Sequence, residues 1–196
     1  MTKKIKQIIE ESIKTKKRFL ENPTNLDSIQ KAVDKIVKCF KDGRKVLICG
    51  NGGSAADAQH IAGELVDRFL LERKGLPVIA LTTDSSIITA WGNDKDFNEI
   101  FERQVEALGR KGDVLIGIST SGNSENVIRG IKKAKENEMK IVSLTGKDGG
   151  EIKTLSDVNI NVDSMETPRI QECHSVIYHI VCELVEKEMV GEEDGR

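Results

Sequence analysis

The feature that most constrains this chain is an alternation of textures beyond Gly43. Five short apolar runs, KVLICG, LPVIALT, DVLIGIST, KIVSLTG and DVNINV, are set among longer amphipathic or polar stretches. Those stretches are SAADAQHIAGELVDRFL, DFNEIFERQVEALGR, NVIRGIKKAKENE, the brief EIKTLS, and a final PRIQECHSVIYHIVCELVEKEM. An unbroken short apolar run fits a strand covered on both faces, whereas apolar residues every three or four positions fit a helix. Strands alternating with helices give right-handed βαβ units and a parallel sheet with helices on either side. The predicted fold class is therefore α/β, in three layers, with five parallel strands.

Ahead of the sheet, residues 1–42 read as two helices. Ile5, Ile8, Ile9, Ile13 and Phe19 keep near-helical spacing, NPTN interrupts it, and Leu26, Ile29, Val33, Ile36, Val37 and Phe40 resume it. Five strands can be covered without this pair, so its apolar stripe either packs on the chain's own sheet or buries against another subunit. At 196 residues the chain fits one domain with one core. Its 30 Lys and Arg nearly cancel its 32 Asp and Glu, which leaves no basic field to hold a nucleic acid. The charged N-terminal stretch MTKKIKQIIEESIKTKKRF matches neither a signal peptide nor a membrane span, so a cytoplasmic protein with no membrane partner is expected. Cys39, Cys49, Cys173 and Cys182 form no CxxC pair and no zinc-finger spacing; they read as reduced packing residues rather than nucleophiles.

Two loops follow strands and open helices: NGGS, Asn51 to Ser54, and STSGNS, Ser119 to Ser124. Glycines let backbone N–H groups turn toward a ligand, the helix N-terminus favours an anion, and hydroxyls add donors without charge. Each loop alone would pass for a tight turn with a helix cap. Placement changes that, because a doubly wound sheet of order 2-1-3-4-5 brings the ends of strands one and three to one crevice at its switch point. Neither loop has the lysine of a nucleotide P-loop or the GxGxxG spacing, so a sugar phosphate fits better than a nucleotide.

His60 and Glu64 lie four residues apart on the helix that NGGS opens, on one face, where they could hold a metal or move a proton. On the last helix Gln171, Glu172, His174 and His179 interrupt an Ile- and Val-rich segment. His174 shares a face with Gln171, whereas His179 lies about 12 Å further along and about 80° around, so helix geometry alone prefers His174 as Gln171's partner. TAWGNDKDF, after the second strand, reads as a loop bringing Asn93 and Asp94 forward, with Asp96 capping the next helix.

With these residues in view, the chain resembles the sugar isomerase (SIS) superfamily and, within it, the phosphoheptose isomerase family. CGNGGSAADAQH, GISTSGNS, SLTGKDGG and RIQE carry the likeness, which runs from the N-terminal helices to EKEM. The resemblance implies a flavodoxin-like SIS fold in which residues 1–196 form a single domain. Residues 1–42 would serve oligomerisation, and 43–196 would make the α/β core and C-terminal helix. It also implies a homotetramer with sites at subunit contacts, and isomerisation of sedoheptulose 7-phosphate to D-glycero-D-manno-heptose 7-phosphate on the way to nucleotide-activated heptose for lipopolysaccharide. Carried onto this sequence, it makes Glu64 the base and His179 the acid/base, acting through an enediol. Substrate contacts would be Asn51, Gly52, Gly53, Glu64, Asn93, Asp94, Ser119, Thr120, Ser121, Ser124 and Gln171. His60, Glu64, Gln171 and His179 would bind Zn2+, one ion per subunit, and this choice of His179 overrides the geometric preference for His174. Gly63 and Pro168 depart from some members, which carry Glu and Asp there. The alternatives are a non-catalytic SIS scaffold that binds the replication initiator, and an isomerase of another phosphosugar; Glu64 and His179 together favour the enzyme.

Overall fold

Five parallel strands lie side by side in the order β2-β1-β3-β4-β5. They are β1 Val46–Gly50, β2 Val78–Ala80, β3 Val114–Ser119, β4 Lys140–Gly146 and β5 Val158–Val162, within two residues of the apolar runs that announced them. The structure is a computed structural model and describes residues 1–191. Val46 pairs with Val78 on one side and Val114 on the other, and Val114 with Lys140 beyond. Successive side chains alternate between the two faces, which is why an unbroken apolar run was needed. Val46 and Ile48 join one core with Ile116, Val142 and Leu144; Leu47 and Cys49 join another with Leu115 and Ile141.

The helices divide accordingly. On one face lie α2 (Pro23–Lys41), α3 (Gly53–Val66) and α8 (Thr167–Val190); on the other lie α5 (Ile100–Leu108), α6 (Glu125–Glu136) and α7 (Gly150–Leu155). Asn22 caps α2 by accepting a hydrogen bond from Thr24 N, with Pro23 at its first turn. Ile29, Val33, Ile36 and Phe40 of α2 are buried in the chain's own core, packed on α8 and β5. The N-terminal pair is thus split. Helix α1 (Thr2–Glu21) leaves Ile5, Ile8, Ile9 and Ile13 between 47% and 59% exposed, a stripe that the described residues cover only in part.

Two sequence expectations fail locally. The helix expected through Leu70 ends at Val66. The stretch expected as a loop around Asn93 and Asp94 is the second half of a helix, α4 (Ser85–Asp94), which Asp84 caps by accepting from Ile87 N at 2.9 Å. Asp96 does act as a cap, accepting from Asn98 N at the head of the short 3₁₀ turn Phe97–Glu99 that leads into α5. No described helix is long and apolar enough to cross a membrane.

Candidate active site

The two glycine and serine loops meet as the topology requires, and a pair of amides latches them. Asn51 Nδ2 donates to Asn126 Oδ1 at 2.8 Å, and Asn126 Nδ2 returns the bond to Asn51 Oδ1 at 2.9 Å. Asn126, in the first turn of α6, is 2% exposed, so the amide of Asn51 is a strut between the walls and leaves its loop's backbone to face the crevice. In the facing wall, Ser119 Oγ shares hydrogen bonds with Ser124 Oγ at 2.9 Å and Ser121 Oγ at 3.3 Å. These hydroxyls, with Thr120 beside them, form a cluster of uncharged donors suited to phosphate oxygens. Gly122 turns this wall with a φ of +69°, a conformation that favours glycine. Gln171, near the start of α8, lies over Gly53: a Cβ on Gly53 would fall 2.9 Å from Gln171 Cδ. Gln171 therefore belongs to this crevice.

A second group of residues gathers further along α3. His60 Nε2 and Glu64 Oε1 are 2.9 Å apart, and His179 Nε2 lies 3.5 Å from His60 Nε2. Single ligand atoms of His60, Glu64 and His179 all fall within 4.8 Å of one another, a donor set of two imidazoles and a carboxylate that suits zinc. The other ring nitrogen of His60, Nδ1, is 3.0 Å from the Tyr178 hydroxyl, which also accepts from Ser175 Oγ. Such a partner fixes the tautomer of a metal-binding imidazole. One turn before His60, Asp57 buries Oδ2 with no hydrogen-bond partner among the described residues, and burial holds its carboxyl above the usual range. Neither Tyr178 nor Asp57 stood out in the sequence. Three-residue spacing to His60 could have flagged Asp57, but nothing local announces Tyr178, whose partner is 118 residues away.

Not every expected residue joins these groups. Helix α3 rises about 16 Å between Gly53 and Glu64, and Gln171 lies at the Gly53 end of it. Asn93 and Asp94 are exposed and bond to each other at 2.9 Å. His174 is fully buried, its Nε2 bound to the carbonyl of Thr145 at 3.0 Å; burial pushes its pKa down to about 4, the behaviour of a core histidine. The cysteines are all buried and free, and burial pushes the Cys49 thiol up to about 12, too high for a nucleophile.

The fold and this pair of sites define a class: residues 7–146 match the SIS domain family, and the chain is a SIS-domain phosphosugar isomerase. Phosphoheptose isomerase of Clostridium acetobutylicum is 54% identical over 94% of each chain, and that of Aquifex aeolicus 55% identical over 98% of this chain and 99% of its own. The structure of phosphoheptose isomerase from Neisseria gonorrhoeae superposes with a TM-score of 0.90 at 42% identity, over 95% of this chain and 98% of that one. This chain belongs to the phosphoheptose isomerase family.

Proposed function

We propose that this isomerase converts sedoheptulose 7-phosphate to D-glycero-D-manno-heptose 7-phosphate in the cytoplasm, opening the route to nucleotide-activated heptose for lipopolysaccharide and other surface glycans. The observation that carries the reading is the pairing of a carboxylate and an imidazole, Glu64 and His179, on the helices α3 and α8 whose other ends border a crevice lined by serine hydroxyls. Aldose–ketose exchange needs a base that removes a proton next to the carbonyl and a partner that moves one between the oxygens. Glu64 takes the C1 proton of the open-chain ketose and, after the enediol, returns it to C2. His179 protonates O2 as the enediol forms and accepts the O1 proton as the new carbonyl closes. Ser119, Thr120, Ser121 and Ser124 hold the phosphate, and the backbone at Asn51, Gly52 and Gly53 with Gln171 lines the rest, so that binding at one end sets the reacting carbons in register.

His60, Glu64 and His179 would hold Zn2+, whose chemistry there is stabilisation of charge on the sugar oxygens. Gln171, the fourth ligand that family resemblance implies, serves the crevice in its own chain. The partly covered stripe of α1 and exposed Val66, Leu70 and Val176 around the cluster support a homotetramer in which 1–42, and α1 in particular, contributes to assembly. Asn93 and Asp94, exposed at the end of α4, would reach sugar hydroxyls in the same assembly.

The test is turnover of sedoheptulose 7-phosphate by the purified protein beside Glu64→Gln and His179→Ala. Each substitution is expected to lower kcat by roughly 10²–10⁴-fold. Parental activity in both would sink the acid/base assignment, and an inactive parent would promote the scaffold reading.

A further inference from the structure

The segment after α3, residues 67–76, is gripped by a buried ion pair. Glu186 of α8 is 1% exposed and points its carboxylate at three successive amides. Phe69 N donates to Oε1 at 2.8 Å, and Leu70 N and Leu71 N donate to Oε2 at 2.6 and 2.9 Å. Arg73 Nε donates to Oε1 at 3.0 Å, from a side chain only 5% exposed. The same guanidinium donates to the carbonyls of Leu65 and Glu64, each at 2.9 Å. Burial pushes the Glu186 carboxyl up, yet these amides and Arg73 hold it below its ordinary range. A buried ion pair is weak as a source of stability unless its remaining donors and acceptors are used; here they are spent on fixing backbone.

What that backbone carries is Phe69, whose ring stacks on the imidazole of His179 with centroids 5.7 Å apart and planes at 27°. Tyr178 and His60 meet the same imidazole edge-on, at 4.8 and 5.0 Å. His179 is therefore confined by three rings. His179 and Glu186 stand seven residues apart, two turns along one side of α8, so the helix that presents the imidazole also grips the loop that covers it.

We propose that Glu186 and Arg73 are positioning residues for the isomerisation: clasped together, they seat Phe69 on His179 and tie the last turn of α3, which bears Glu64, to the same loop. The inference rests on the reading of Glu64 and His179 as the proton-moving pair. Displacement of a reacting group by about 1 Å can cost on the order of a hundredfold in rate, so the clasp acts on kcat and not on the distant phosphate crevice.

The test uses full-length Phe69→Leu, Phe69→Tyr, Glu186→Gln, Arg73→Lys and His179→Ala, with steady-state kinetics on sedoheptulose 7-phosphate and the NMR resonance of the His179 ring protons. Phe69→Leu is expected to lower kcat by about tenfold or more with KM within about twofold, and to lose the ring-current shift at His179. Phe69→Tyr, which keeps the stacked ring, should restore both. Glu186→Gln and Arg73→Lys should each move the His179 resonance although neither residue touches it. Parental kcat in Phe69→Leu, beside an inactive His179→Ala, overturns the proposal. So does an unmoved resonance in both clasp variants. Full activity in His179→Ala would instead remove the acid/base reading, and the clasp would then stand or fall on the resonance.

Discussion

Gly122 and Gly53 line the two walls of the crevice, and adding one methyl group to each should have opposite consequences. At Gly122 the backbone sits at φ +69°, which costs an alanine about 1–2 kcal/mol. The new Cβ would also fall 2.7 Å from Gly150 N and closer still to the Gly149 carbonyl. Those are main-chain atoms, pinned because Ile152 N donates to Gly122 O at 3.0 Å and Glu151 N to Asn123 Oδ1 at 2.9 Å. Forcing them apart adds about 1–3 kcal/mol. Gly122→Ala should therefore lose roughly 2–5 kcal/mol, a fall in Tm of roughly 5–20 °C at this chain length. At Gly53 the backbone is helical and the Cβ would meet only the end of the Gln171 side chain, 2.9 Å from Cδ. That amide can swing away, and alanine gains up to about 1 kcal/mol of helix propensity. Gly53→Ala should keep its stability within about 1 kcal/mol while KM rises, because Gln171 has been evicted from the crevice. Urea unfolding monitored by circular dichroism gives the stabilities, and initial rates give KM. Equal destabilisation of the two variants, or a Gly122→Ala protein as stable as its parent, would refute the reasoning.

Other outcomes rest on the same geometry. His174 is buried neutral with a pKa of about 4 against an ordinary 6.5; its stabilising contribution is complete above pH 6.5 and drains away as pH falls toward 4. Between those values roughly 3 kcal/mol should disappear, and His174→Phe should flatten that part of the stability-versus-pH curve measured by urea titration. Asn126→Leu leaves the Asn51 amide unpaired, so stability should drop by about 1–3 kcal/mol and KM should rise with kcat nearly preserved; an unchanged KM would show that the strut does not shape the crevice. If His60, Glu64 and His179 hold Zn2+ as proposed, Tyr178→Phe, which removes the partner of His60 Nδ1, should weaken that binding about 10–100-fold, read by competition with a chromophoric chelator; parental affinity would deny Tyr178 that role.

Much of the architecture was legible because it rests on local pattern. The five apolar runs marked the strands, and the NGGS and STSGNS loops fell at the switch point of the 2-1-3-4-5 order that doubly wound sheets commonly adopt. Helix α4 escaped notice for a physical reason: none of its residues is fully buried, its inward stripe is only the half-buried Ile88, Trp91 and Gly92, and its Gly92–Asn93 pair mimics a turn. The early end of α3 was equally hidden. Leu65 and Phe69 keep helical spacing, but the amides of Phe69, Leu70 and Leu71 go to Glu186, more than a hundred residues away in the chain. Spacing alone preferred His174 to His179, because it registers neither the sheet beneath the one nor the rings around the other.

The strut between Asn51 and Asn126 has no charge and no titratable atom. Neither acid nor salt can loosen it, so the opening of the crevice should be the same across the range in which the protein stays folded. A drift of KM with ionic strength or pH in this enzyme is then not owed to this strut, and points first to the phosphate of the sugar and the groups that meet it.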